Sequence, residues 1–589
     1  MELSTDNLSQ NAINNINKWL NEPKYAEYKA DIESLIRLGE WAQLEDAFFK
    51  EIEFGTGGRR GKTGVGSNRI NKVTIGESAQ ALCEYALSFD KNAAEKGIVI
   101  AYDTRLTSLE LSCFAAQVVA ANGFKTYLFD GFRATPELSF ALRHLGCAAG
   151  IVISASHNPP TDNGFKAYWS DGGQLVAPHD KGVMATANKV NDIKIVDYDE
   201  AISDGRIVIV GKEIDDEYIK VASAESLNNY RDISIVYSPL HGTGQVSVLP
   251  VLRAVGFENI LLVEEQMTPD GNFPTIPSGK PNPEEISAND MAVEKMMNEM
   301  ADIAITNDPD ADRIGVIVRQ GEKPVYLSGN QSAVLVADFT LGKLRNENLL
   351  SSKNYIAKTI VTTDMLTALA DEYGVTMYTN MLIGFKYIGE LILNKENTDE
   401  IFVVGGEESY GLLKGTYARD KDGVSGALPL AEYAAELKLR DMTLYDRLLE
   451  LYAQHGIYVE RLDNMVCPGA SGFEKMQKIM DGLRKSAPVE ICEHKVTAVL
   501  DYASLSKLDI ETGKTSDIDC ASGNVIVLEF GDSRRRVTIR PSGTEPKLKF
   551  YVQWYQDVDN DNNIADQYAD IENQLKLLAI ELEKTLLNF

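Results

Sequence analysis

The chain has 589 residues, enough for about three to five domains, and its 44% hydrophobic content supports packed cores rather than disorder. A formal charge of −29 excludes sequence-independent nucleic-acid binding, which needs a basic surface. The longest apolar runs are strand-sized, and the start at Met1–Asp6 lacks a basic region followed by an apolar stretch, so neither a membrane span nor a secretory signal is expected.

Residues 1–50 have helical periodicity through Ile13, Ile16, Trp19 and Leu20, then Ile32, Leu35, Ile36, Leu38 and Trp41, and read as an extension packed on a first domain. A glycine-rich loop is expected from Phe54 to Gly66. Strand and helix patterns then alternate: Ile98–Tyr102, Leu109–Ala121, Lys125–Phe129, Leu138–Leu145 and Gly150–Ser154. The alternation restarts near Ser234 and again near Tyr355, which predicts three α/β units of similar size without a tight sequence repeat. After about residue 453 the strands Val496–Leu500, Asn524–Phe530 and Arg536–Ile539 and a closing helix near Ile564–Leu587 read as a smaller α+β domain. The expected domains are 1–212, 213–325, 326–452 and 453–589. Six scattered cysteines (Cys83, Cys113, Cys147, Cys467, Cys492 and Cys520) form no C-x-x-C pair, which suits a reduced, cytoplasmic protein.

Four segments carry chemistry. Ser154-Ala155-Ser156-His157-Asn158-Pro159-Pro160 follows the apolar run Ile151–Ile153, so Ser156 is presented where the prolines stop the strand. It lacks the Gly-x-Ser-x-Gly of a hydrolase elbow; alone it also reads as an Asn-Pro turn with a capping serine. Asp308-Pro309-Asp310-Ala311-Asp312-Arg313 joins two apolar strands, and its three alternate carboxylates can converge on a hard cation such as Mg²⁺. It is not an EF-hand, because Arg313 and Arg319 stand where glycine and glutamate are required. A solvated acidic turn is the plain alternative.

Gly405-Gly406-Glu407-Glu408-Ser409-Tyr410-Gly411 offers carboxylates and a hydroxyl suited to sugar hydroxyls, although polar loops at a sheet edge are common. Arg540-Pro541-Ser542-Gly543-Thr544-Glu545-Pro546-Lys547 could form a phosphate nest or an ordinary turn. Gly57–Thr63 misses the first glycine of a P-loop, and Gly242-Thr243-Gly244 misses the third small residue of a dinucleotide fingerprint, so neither ATP nor NAD is supported.

Together, in this order and with Phe54-Gly55-Thr56-Gly57-Gly58-Arg59-Arg60-Gly61, the motifs resemble the α-D-phosphohexomutase family over about 500 residues. The resemblance implies three related α/β mixed-sheet domains and a smaller α+β domain around a central cleft. It implies that Ser156 carries the phosphoryl group. Asp308, Asp310 and Asp312, with the Ser156 phosphate oxygen, would hold Mg²⁺. Glu407 and Ser409 would bind sugar hydroxyls, and Arg540, Ser542, Gly543 and Thr544 the non-reacting phosphate. Arg60 resembles an arginine near the phosphoserine and Lys166, in Asp162-Asn163-Gly164-Phe165-Lys166, a general acid/base. Arg313 would reach a phosphate or the sugar, while His157, Lys386 and Asp420 lie in recognisable loops.

The expected reaction interconverts glucose 1-phosphate and glucose 6-phosphate through glucose 1,6-bisphosphate, with a sugar phosphate as the small-molecule partner. Arg59, in place of a more usual leucine, and the long N-terminus leave pentose phosphates as an alternative, and mannose phosphate is another. A Mg²⁺-dependent sugar phosphatase and a non-catalytic sugar-phosphate-binding protein are the rivals of different class. Surface residues alone set no oligomeric state.

Overall fold

The computed structural model describes residues 7–54, 58–467, 472–542 and 547–589. The chain divides into two compact units, Met1–Ile317 with Gly389–Asn394 and Gly415–Leu428, and Val318–Ile388 with Lys395–Lys414 and Pro429–Phe589.

The N-terminal residues are helical as expected, at Gln10–Asn21, Lys29–Leu38 and Trp41–Phe48. Ser9 caps the first helix by accepting from Ala12 N, satisfying one of its orphan donors. Trp19 anchors the layer, stacking on Tyr25 at 4.4 Å and meeting Phe48 edge-on at 5.6 Å. Val73, at the start of the helix Lys72–Phe89, joins the same apolar cluster, so the extension packs on the first sheet domain.

That first sheet contains β1 (Gly58–Lys62), β2 (Ile98–Tyr102), β3 (Thr126–Phe129), β4 (Ala149–Ile153), β5 (Asp162–Trp169) and β6 (Ile207–Val210), in the order β1-β5-β4-β2-β3-β6. The expected glycine-rich loop Phe54–Gly66 is therefore corrected: Gly58–Lys62 is an edge strand, antiparallel to β5 with Arg60 opposite Gly164. β2 and β4 are wholly buried parallel neighbours, which is why both read as unbroken apolar runs.

The second sheet uses β7 (Ile235–Ser238), β8 (Ile260–Leu262), β9 (Ile303–Asn307), β10 (Ile314–Gln320) and β11 (Lys323–Leu327), in the order β11-β10-β9-β7-β8. The third uses β12 (Asn354–Lys358), β13 (Thr376–Tyr378), β14 (Ile401–Gly406) and β15 (Leu412–Lys414), in the order β13-β12-β14-β15. One pattern recurs in all three. A central strand has its successor on one side and the next strand on the other, all parallel, and a fourth strand then turns back beside the third. The loops from third to fourth strand are thus topological equivalents: residues 154–161, 308–313 and 407–411.

The C-terminal region has the expected different grammar. Its strands are β16 (Ile457–Val466), β17 (Glu490–Ile491), β18 (His494–Lys495), β19 (Ala498–Asp501), β20 (Ser506–Asp509), β21 (Thr515–Asp517), β22 (Ile526–Phe530), β23 (Asp532–Pro541) and β24 (Lys547–Gln556). β17 pairs with β18, and the others form a seven-stranded sheet ordered β16-β24-β23-β22-β19-β20-β21, with the helix Ile564–Leu586 closing the chain. No helix among the described residues is long and apolar enough to cross a membrane.

Candidate active site

In the first unit, two equivalent loops meet. Ser156, in the turn after β4, has a left-handed backbone with φ 52°, uncommon for a residue carrying a Cβ. Its N–H donates to Ser154 Oγ at 2.8 Å, and its own hydroxyl donates to Asp308 Oδ2 at 2.6 Å. His157 Nδ1 lies 3.2 Å from the same hydroxyl. The turn therefore aims the serine oxygen at the acidic loop of the neighbouring sheet.

Asp308, Asp310 and Asp312 are all buried and present oxygens within 4.8 Å of one another. Three carboxylates buried side by side need compensation, and two lysines supply it to Asp310 and Asp312. Lys166 Nζ, from β5, donates to Asp310 Oδ2 at 2.5 Å and to Asp312 Oδ2 at 3.3 Å, and Lys421 Nζ reaches Asp312 Oδ2 at 3.0 Å. Asp310 Oδ2 also accepts from Thr135 Oγ1 at 2.7 Å and Ser154 Oγ at 3.1 Å. Asp310 Oδ1 is buried without a hydrogen-bond partner.

The charges respond unequally. Burial, then the neighbouring Asp312 and Asp310, push Asp308 well above the usual carboxylate range. Burial acts the same way on Asp310, but Lys166 overrides it and holds that carboxyl low. Burial, Arg313 and Arg60 hold His157 well below the usual imidazole range, so it is neutral. Lys166 remains a cation: burial works against it, and Asp310 and Asp312 outweigh burial.

Oxygen-only ligands, convergent carboxylates and an orphaned buried Asp310 oxygen fit a hard divalent cation such as Mg²⁺.

Ser156, His157, Lys166, Asp308, Asp310 and Asp312 thus come together. Arg313 flanks them, its Nη1 donating to Glu284 at 2.8 Å and its Nε 3.9 Å from Asp312 Oδ1. Asp420 is occupied structurally, accepting from Tyr168 Oη at 2.8 Å and Gln174 Nε2 at 3.1 Å. Arg59 is also structural. It points away from Arg60 along the strand and donates to Thr74 O and Glu77 Oε2, both at 2.8 Å, fastening β1 to the helix Lys72–Phe89.

Sequence reading missed Lys421, Thr135 and Arg105. Lys421 sits between two aspartates, a signal of local charge pairing. Thr135 precedes Pro136 and reads simply as a helix start. Arg105 follows the buried β2, at the carboxyl edge where open α/β sheets place functional loops.

The other expected residues lie in the second unit. Glu407 is buried, its N–H donating to Gly411 O at 2.9 Å to close the loop, and Ser409 lies half-buried within it. Lys386 opens the helix Lys386–Lys395, with its ammonium 5.0 Å from the Tyr387 ring centroid. Arg540 is near the end of β23, and Ser542 N–H donates to Lys547 O at 2.8 Å. Gly543 and Thr544 lie outside the described residues.

Three family models match in succession: phosphoglucomutase/phosphomannomutase α/β/α domain I at 51–194, domain II at 216–321 and domain III at 328–455. The phosphoglucomutase of Staphylococcus aureus strain MRSA252 is 36% identical over 518 residues, covering 87% of this chain and 91% of the relative. That of Staphylococcus epidermidis strain RP62A is 34% identical over 505 residues, covering 85% and 90%. Among solved structures, the open form of the Paramecium phosphoglucomutase pp63/parafusin aligns with a TM-score of 0.64 at 18% identity, over 91% of this chain and 96% of that one. A phosphoglucomutase/phosphomannomutase family protein from Burkholderia thailandensis aligns with a TM-score of 0.60 at 18% identity, over 90% and 97%. These structural likenesses concern the fold.

Proposed function

The chain belongs to the phosphoglucomutase/phosphomannomutase family, and from that premise we propose that it interconverts glucose 1-phosphate and glucose 6-phosphate, with Ser156 as the phosphoryl carrier. The observation that carries the residue assignment is the 2.6 Å contact from Ser156 Oγ to Asp308, within the buried triad. Glucose is favoured over other sugars because relatives at 34–36% identity are named phosphoglucomutases. The structural role of Arg59 removes a reason for preferring a pentose.

In the forward half-reaction, the bond from phosphorus to Ser156 Oγ breaks and a bond to the free sugar hydroxyl forms. The hydroxyl proton leaves the sugar, and Ser156 Oγ ends protonated. The product is the 1,6-bisphosphate, whose other phosphoryl group returns to Ser156 in the second half. His157 Nδ1 is within reach of the proton at Oγ. Lys166 is the family's candidate for the sugar hydroxyl; its ammonium is committed here to Asp310, Asp312 and, at 3.4 Å, Thr135 Oγ1.

Asp308, Asp310 and Asp312, with an oxygen of the Ser156 phosphate, would hold Mg²⁺, which when bound offsets charge on the phosphoryl oxygens. Arg60 and Arg313 add fixed positive charge beside His157. Glu407, Ser409 and Lys386 are assigned to the sugar, and Arg540, Ser542, Gly543 and Thr544 to the distal phosphate. Six free cysteines suit a reducing, cytoplasmic setting.

The test is conversion of glucose 1-phosphate with Mg²⁺ and a trace of glucose 1,6-bisphosphate, with inorganic phosphate monitored. Conversion without phosphate release is expected, falling by at least about 10³-fold in Ser156→Ala. Net phosphate release would instead indicate a phosphatase. Full activity in the alanine variant would refute the carrier assignment.

A further inference from the structure

Arg105 is an arginine beside a phosphate-handling serine, and its chemistry first suggests a phosphate ligand. Its hydrogen bonds say otherwise. Nη2 donates to Ser156 O at 2.6 Å and to Asn158 O at 2.5 Å, while Nη1 donates to Pro159 O at 2.7 Å and to Asp162 O at 2.9 Å. Nε lies 3.3 Å from Asp103 Oδ2. Four Nη–H groups are thus spent on three carbonyls of the Ser156 loop and one at the start of β5, and the fifth N–H faces a carboxylate.

The guanidinium is itself held in place. Arg105 is 3% exposed, and its guanidinium sits 5.2 Å from the Phe273 ring centroid. Asp103 Oδ1 also accepts the Arg105 backbone N–H at 3.0 Å and the Ser108 hydroxyl at 2.6 Å.

The consequence concerns the two states of the carrier. Free Ser156 is tied to Asp308 through its hydroxyl proton. Once esterified, Oγ has no proton to donate, and that tie is lost. The Arg105 contacts to this segment use only backbone carbonyls, so esterification leaves every one available. We propose that Arg105 is a positioning residue that holds the Ser156 loop in one place in both the free and the phosphorylated enzyme, so that the phosphoryl group departs from and returns to the same point. This rests on reading Ser156 as the carrier. Lysine cannot substitute, because one ammonium with three donors cannot span four carbonyls.

The test is hydrogen–deuterium exchange of the full-length protein over residues 155–162, with Ser156 phosphorylation followed by intact mass. Wild type is charged with glucose 1,6-bisphosphate or discharged with excess glucose 6-phosphate. Strong protection is expected in both forms. In Arg105→Lys, exchange in this segment is expected to accelerate about tenfold. Its kcat should fall about 10²-fold while KM for glucose 1-phosphate stays within about twofold. Should the variant fail to fold, wild type alone decides, since free exchange of the segment in its phosphorylated form overturns the proposal. So does an Arg105→Lys protein with unchanged loop exchange and kcat. No phosphate on wild-type Ser156 would sink the carrier reading and this inference with it, whereas phosphate present on a freely exchanging loop sinks the clamp alone.

Discussion

A residue without a side chain can still set the geometry of the acidic turn. Gly242, in the loop after β7, lies against the backbone of Pro309, between two of the triad aspartates. A Cβ there would come within 2.4 Å of Pro309 Cα and 2.7 Å of its carbonyl oxygen. The adjacent Thr243 N–H donates to Pro309 O at 2.8 Å, so the two loops are fastened backbone to backbone. Neither partner can yield as a flexible side chain would. Gly242→Ala is expected to cost about 1–3 kcal/mol of stability and to shift the turn. Affinity for Mg²⁺, measured by calorimetric titration, should fall about tenfold as the carboxylates lose their common focus. An unchanged titration and melting temperature would show that the turn is not held from this side. None of this is legible in the sequence, where Gly242-Thr243-Gly244 reads as an incomplete nucleotide fingerprint, because the contact joins residues 67 positions apart along the chain.

At the scale of elements, legibility follows the range of the forces. The N-terminal helices are readable from periodicity, and the buried strands β2 and β4 from continuous apolar runs. Strand β1 is not. Its sequence, Gly58-Arg59-Arg60-Gly61-Lys62, has neither β-branched nor aromatic residues, and it is a strand only because β5 pairs with it. Gly58 faces Lys166 across that pairing and has φ 138°; an added Cβ would lie 1.7 Å from Phe165 O. Gly58→Ala is therefore expected to detach the start of β1 at a cost of about 2 kcal/mol. β5 itself should persist, because its other edge is paired with β4. Faster amide exchange over 58–62, with 149–153 unchanged, would show this selective release. Activity should fall with it, since Arg60 is two residues along the released strand. Equal exchange in both segments would mean that β1 is held by its sides rather than by this close approach.

At the scale of the molecule, three sheets share one strand order, and the three equivalent loops carry Ser156, the aspartate triad and Glu407 with Ser409. The sequence announces the three restarts, but the equivalence of the loops emerges only with strand order, which depends on non-local pairing. Within the second unit, the third sheet is joined to the C-terminal sheet by a charged junction. Asp364, after β12, accepts from Lys358 Nζ at 2.9 Å and from Arg536 Nη1 at 2.5 Å and Nη2 at 3.1 Å. Gln553 Nε2 donates to Thr362 O at 3.0 Å, and Ile360, Val361, Tyr502, Val527 and Tyr551 belong to one apolar cluster drawn from both sides of the junction. Burial opposes the Asp364 charge, but Lys358 and Arg536 override it and hold the carboxyl below its usual range. Such a lowered acid stabilises the fold above its unfolded value, near 3.8, and the benefit is lost as pH falls through the folded value. Asp364→Asn leaves two cations facing a neutral amide, one of them the buried Lys358, and should cost about 3 kcal/mol at neutral pH. The difference from wild type should shrink as pH falls below about 4. Because Arg536 and Arg540 share β23, KM for glucose 1-phosphate should rise more than kcat falls. Urea titrations at pH 2.5 and 7.5, with steady-state kinetics at pH 7.5, separate the cases. A stability loss equal at both pH values would place the defect in packing, and an unchanged KM would mean that the junction does not position the Arg540 loop.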